Sequence, residues 1–142
     1  MVKHKQIVLY SDVYNGFFKI TDEVKNAVTE CNIKDGVVFV ISAHTTSGII
    51  VNESLECVES DMNDLLCKLV PEDGNYAHAH FLYSYGAMAG NPTGHLKSLI
   101  CGNHCIFPLM NGELLCGAAQ EIYFAEFDGP RPRTITITVI GD

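Results

Sequence analysis

The sequence has no tryptophan and little positive charge: 9 Lys and Arg stand against 17 Asp and Glu, for a net charge of −8. A chain this acidic gains little from counterion release on a phosphate backbone. General nucleic-acid binding and attraction to an anionic membrane surface are therefore excluded as leading functions. Long apolar runs are missing too. The longest core-like stretch, Val37-Val-Phe-Val-Ile41, falls far short of the roughly 20 residues of a spanning helix. The apolar run Ile7-Val-Leu-Tyr10 is too short for the core of a secretory leader, so the expected location is the cytoplasm. There the 6 cysteines are expected to be reduced thiols. No internal repeat, low-complexity stretch or short-range zinc motif is visible, and Cys101-x3-Cys105 is only a loose pair.

What remains is an ordinary globular composition. The 142 residues, 47% apolar and 18% charged, fit one domain with its own core. Residues 5–10 read as a strand. Thr21 is placed to cap a helix over 22–32 with Val24, Ala27, Val28 and Cys31 as its inner stripe. Val37–Ser42 and Ile49–Asn52 read as strands. Ser54 is placed to cap a helix over 55–69, with Leu55, Val58, Met62, Leu65, Leu66 and Leu69 facing inward, and Pro71 stops it. Asn91-Pro92 is a helix start, with Asn at the cap and Pro at the first position. Asn111-Gly112 between two apolar segments signals a hairpin. Gln120–Phe127 and Thr134–Ile140 read as strands, and the second alternates Ile135, Ile137 and Val139 with three threonines. The expected class is α+β: a largely antiparallel sheet packed with two main helices.

Several segments could carry chemistry. His44-Thr45-Thr46-Ser-Gly48 follows a strand and offers an imidazole, hydroxyls and backbone N–H groups, a set that suits a phosphate or carboxylate. The same residues also make an ordinary Ser/Thr turn. Asn52, Glu53 and Asp61 could complete an acid/base set, or serve a helix start. His78-x-His80, if extended, turns both rings to one side. His95 falls in the first turn of the helix begun by Pro92, where the dipole favours neutral imidazole, and Lys97 would draw an anion. Gln120 and Glu126 share a strand face about 20 Å apart, too far for one small site within one chain. Arg131 and Arg133 flank Pro132 as a rim pair or an anion clamp. His44, His78 and His95, with His80 in reserve for His78, fit the plan of a catalytic zinc site with three protein ligands. The stretch from Gly86 to Gly94 has the length of a functional loop.

Taken together, His44-Thr-Thr-Ser-Gly-Ile49, Asn52-Glu53, Asp61, Tyr76-Ala-His78, His95-Leu-Lys97, Asn111-Gly112, Gln120 and Glu126-Phe-Asp-Gly-Pro-Arg131 resemble the YjbQ-like (UPF0047) family, often labelled secondary thiamine-phosphate synthase. The resemblance spans about residues 5–141. It implies a compact α+β fold, a homotrimer with sites near subunit boundaries, and site histidines at His44, His78 and His95. It also maps Asn52, Glu53, Asp61, Lys97, Gln120, Glu126 and Arg131 onto motif positions. One departure stands out: where the family usually shows Gly-Thr-Trp-Gln, this chain has Gly117-Ala118-Ala119-Gln120. The resulting expectation is a metal-assisted enzyme acting on a small phosphorylated or otherwise anionic metabolite. In it His44, His78 and His95 hold a divalent ion such as zinc, and Glu53, Asp61 or His44 act in acid/base steps. Thr45, Thr46, Asn52, Lys97, Gln120, Glu126 and Arg131 bind substrate. The rival is a non-catalytic trimer that binds a metabolite or metal.

Overall fold

The computed structural model describes residues 1–80 and 90–142, with the side chain of His80 left out. Of the expected loop from Gly86 to Gly94, positions 86–89 lie outside those residues. In chain order the elements are β1 (Val2–Tyr10), β2 (Gly16–Lys19), α1 (Thr21–Cys31), β3 (Gly36–Ser42), β4 (Ser47–Asn52) and α2 (Glu56–Leu69). A short turn of helix, α3 (Ala77–His80), then precedes α4 (Pro92–Cys101), β5 (His104–Met110), β6 (Glu113–Leu114), β7 (Glu121–Glu126) and β8 (Pro132–Gly141).

The strands form two sheets, in the orders β1-β8-β3-β5-β6 and β2-β7-β4, and every pairing is antiparallel. The fold is α+β. Alternation decides what faces inward. Ile135, Ile137 and Val139 of β8, with Val38 and Val40 of β3, are fully buried against Ile122 and Phe124 of β7 and against the stripe of α1. The β5–β6 hairpin turns at Asn111 (φ 53°) and Gly112 (φ 80°), both left-handed, as a tight type I′ connection requires.

Two helix readings need correction. Thr21 is the first residue of α1 and makes no capping bond to it. Its hydroxyl instead donates to the Glu121 carboxylate and accepts the Ile122 N–H at 2.9 Å, tying the helix to β7. Neither does Ser54 cap α2: Leu55 holds that position, with no side-chain cap. The stripe of α2 is mostly uncovered. Leu66 alone among its residues is buried, packing with Ala125 and Phe127, whereas Leu65 is 56% and Leu69 58% exposed.

The register places the functional end. Tyr10 pairs with Pro132, Ser42 with Ile135, and both Gly16 and Ser47 with Glu126. The loops 43–46, 127–131 and 11–15 therefore gather at one end of the two sheets. The N-terminus of α4 packs there because Gly94 has no Cβ: one built on it would lie 2.8 Å from the Phe127 carbonyl and 3.2 Å from Thr46 Cγ2.

Candidate active site

At that end lies a cavity of about 530 Å³, lined by His44, Thr45, Thr46, His78, Asn91, His95, Arg131 and Arg133, with Ala43 and Pro132. Its floor is an inward-facing ion pair. Arg133 sits on the core face of β8, in phase with Ile135, and Glu126 on the core face of β7, in phase with Phe124. Stacking the two sheets brings these charges together. The Glu126 carboxylate accepts Arg133 Nε–H at 2.9 and 3.0 Å, a further bond from Arg133 Nη2, the Ser11 hydroxyl, and the N–H groups of Phe127 (3.1 Å) and Asp128 (3.4 Å). Arg133 Nη2 also donates to Thr46 Oγ1 at 3.0 Å, fixing the loop that carries His44. Glu126 is thus the counter-charge of a buried arginine, which is the partner its apolar face demanded.

His44 is held by β8. Its Nε2 accepts the Thr134 N–H at 2.8 Å, so a neutral ring carries its proton on Nδ1. Burial, reinforced by Arg133 and by Arg131 and opposed by Glu126, lowers its pKa below the ordinary 6.5. His44 is therefore a neutral hydrogen-bond donor at neutral pH.

His78 is held by a relay that local sequence reasoning missed. Asn91 Nδ2 donates to Asp128 Oδ2 at 2.7 Å, which turns Asn91 Oδ1 toward His78 Nε2 at 3.0 Å. An amide oxygen only accepts, so His78 Nε2 donates and the neutral ring has its lone pair on Nδ1. Arg131 grips the same Asp128, donating from Nε to its carbonyl at 2.7 Å and from Nη2 to its carboxylate at 2.9 Å. Asn91 was legible as a helix cap, and Asp128 only within the motif Glu126-Phe-Asp-Gly-Pro-Arg131. The capping reading is corrected: Asn91 precedes α4 but its side chain makes no cap.

The three histidines reach one cavity, and their partners there differ. Two imidazoles on one tetrahedral zinc, with Zn–N of about 2.0–2.1 Å, have ring centres about 5 Å apart. His78 and His95 meet that spacing, at 5.1 Å and 82° between planes. His44 instead gives its Nε2 to Thr134, and among the described residues no group of three or more His, Cys, Asp and Glu is placed to hold an ion. The expected extended His78-x-His80 is corrected to a helical turn, which separates the two positions by about 200°. Burial drives the Cys101 thiol up to about 11 and the Cys105 thiol up to about 12, so this pair offers no thiolate at neutral pH.

Other motif residues lie elsewhere in the single chain. Lys97, two positions after His95 on α4, faces the opposite way. It is buried, with Nζ 3.5 Å from Glu72 Oε1 and 3.9 Å from Cys67 Sγ. Asn52 ends β4, about 17 Å from its start beside the cavity, and Glu53 follows it. Both are exposed, as is Asp61 on α2. Gln120 is exposed and its Oε1 accepts the Gly117 N–H at 2.8 Å, closing the Gly117–Gln120 turn.

Comparison with known proteins gives a consistent picture. Residues 5–142 match the family model described as UPF0047 protein YjbQ-like. The UPF0047 protein YugU of Bacillus subtilis is 38% identical over 123 residues, 86% of this chain and 87% of that protein. A UPF0047 protein of Methanocaldococcus jannaschii is 36% identical over 124 residues, covering 87% and 83%. Among solved structures, a YbjQ-like protein of unknown function from Sulfolobus solfataricus P2 superposes with a TM-score of 0.92 at 26% identity, over 100% of this chain and 99% of that one. An uncharacterized conserved protein of the family from Clostridium acetobutylicum gives 0.85 at 35% identity, over 96% and 99%.

Proposed function

The chain belongs to the UPF0047 YjbQ-like family, and from that premise we propose that it is an enzyme acting on a small anionic metabolite, a phosphate ester or a carboxylate. The observation that carries this reading is the cavity where His44, His78, His95 and Arg131 converge from four separate segments. Two imidazoles there are held by their partners. His44 presents Nδ1–H as a donor, suited to an oxygen on which charge develops. His78, oriented through Asn91 and Asp128, adds a second imidazole whose ring is held in place for proton transfer. Arg131 is paired with Asp128 but keeps its side chain 38% exposed and so supplies the cationic edge, while Arg133 is buried against Glu126.

The metal part of the reading is narrower. His78 and His95 are spaced to share a zinc ion, and His44 joins them only by releasing Thr134. For assembly with further copies the support is uncovered apolar surface: Leu65 and Leu69 of α2 and Leu99 (78% exposed) of α4. In such an assembly the exposed Asn52, Glu53 and Asp61 are available to a neighbouring chain's cavity.

The test is thiamine phosphate formation from a pyrimidine diphosphate and a thiazole phosphate, run on wild type, His44→Ala and His78→Ala. Loss of turnover in either variant supports catalysis at this site, and equal rates in all three remove it for that reaction. Inorganic phosphate should shift the imidazole NMR signals of wild type and not of Arg131→Ala; no shift in wild type ends the anion reading. Zinc that co-purifies with untagged protein and is lost in His95→Ala supports the metal. Light scattering that gives a monomer mass ends the trimer.

A further inference from the structure

The histidine pair borders more than one cavity. Beyond His78 and His95 lies a second cavity, also about 530 Å³, for which the same two rings form a wall together with Asn75, Tyr76, Ala77, Pro92 and Leu96. The two spaces differ in character. The first holds Arg131, His44 and two threonines. Among the described residues lining the second, none but the histidines is acidic or basic, and the Tyr76 hydroxyl is turned away to the Pro71 carbonyl at 2.6 Å. What Tyr76, Pro92, Leu96 and Ala77 offer is apolar surface and ring faces. Such a wall favours a flat, uncharged group and disfavours a charged one, which would lose its hydration for little return among the described lining residues. Each cavity alone is large enough for a small ligand, and their common boundary is the pair of rings that the Asp128–Asn91–His78 relay positions.

Resting on the anion-site reading above, we propose that the ligand is a two-part molecule. An anionic head occupies the His44–Arg131 cavity. A flat, uncharged ring occupies the Tyr76–Leu96 cavity. The link between them passes His78 and His95. This assigns Tyr76, Pro92 and Leu96 to ligand recognition. It places the link, rather than either end, beside the imidazole whose tautomer the fold fixes.

The probes are inorganic phosphate and phenyl phosphate, titrated into the full chain by calorimetry or by imidazole NMR. Phenyl phosphate should bind at least about tenfold tighter, because its ring leaves water for an apolar wall. In Leu96→Gln and in Tyr76→Ala the ratio of the two affinities should fall toward unity. A ratio is read within each variant, so a general loss of stability does not mimic the effect. Phosphate binding with no preference for the phenyl ester overturns the two-part ligand and leaves the anion site standing. A wild-type preference that both variants retain overturns it equally. Failure of phosphate to bind, or binding unchanged by Arg131→Ala, removes the anion site itself and this proposal with it.

Discussion

Glu126→Gln removes one charge from the floor of the cavity and keeps nearly the same volume. Glu126 is fully buried and Arg133 is 3% exposed, so water cannot replace the lost carboxylate. Arg133 directs both Nε and Nη2 at Glu126 and keeps only Thr46 as its other bonded partner among the described residues. Breaking a buried pair by neutralising one member costs about 3–5 kcal/mol. A 142-residue chain at about 0.05–0.15 kcal/mol per residue has about 7–21 kcal/mol in all, so the loss is a large fraction. At about 2–4 °C per kcal/mol, Tm should fall by about 6–20 °C. Urea denaturation followed by far-UV circular dichroism reads the change directly, with the slope m unaltered if two-state behaviour holds. A double-mutant cycle sharpens the test. Arg133→Met leaves Glu126 unpaired and should also destabilise, whereas Glu126→Gln with Arg133→Met should recover much of the loss, because no buried charge remains. A loss under about 1 kcal/mol in Glu126→Gln, or simple additivity in the double variant, would refute the assignment of Glu126 as the partner of Arg133.

Three further outcomes follow from the same geometry. His44 has a folded-state pKa below its ordinary 6.5. The unfolded chain therefore binds the extra proton first, and the stability contributed by neutral His44 is complete above pH 6.5 and lost as pH falls through the folded pKa; His44→Asn should flatten that slope, and an unchanged slope would count against the burial of a neutral His44 beside Arg133. Gly94→Ala should destabilise despite the helix propensity of alanine, because its Cβ would meet the Phe127 carbonyl at 2.8 Å; a variant more stable than wild type in the same urea assay would show that α4 does not pack this tightly at the cavity. Of the six cysteines, the exposed Cys57 and Cys67 should react with a thiol reagent well before Cys101 and Cys105, whose thiols lie near 11 and 12; peptide mapping after brief labelling at neutral pH checks the order.

Much of the fold was legible because it is written in local patterns. The alternation of Ile135, Ile137 and Val139 fixes a strand and its inner face, Asn111-Gly112 fixes a hairpin, and Val24, Ala27, Val28 and Cys31 fix the buried side of α1. The stripe of α2 is equally periodic, yet Leu65 and Leu69 stay exposed. Periodicity tells which residues share a face; how much neighbouring structure covers that face is a tertiary matter. The candidate site divides along the same line. His44, Thr45 and Thr46 line the cavity as a short loop must, since adjacent residues move together. Asn52 and Glu53 are carried off by the extension of β4, and Lys97 is rotated away from His95 by the helical turn. Gln120 closes its own exposed turn at the other end of β7 from Glu126.

By itself the sequence determined an acidic, tryptophan-free α+β chain of a recognisable family, with histidines on three separated segments and few cations to meet an anion. Only the tertiary structure decided which of those residues meet. It spent Arg133 on Glu126, left Arg131 at the rim, and set the tautomers of His44 and His78 through Thr134 and through Asn91 with Asp128. The reason is physical. Strand and helix formation depend on near neighbours in the chain, whereas a buried charge or a ring nitrogen takes its state from atoms that packing delivers across 7 to 90 positions of sequence.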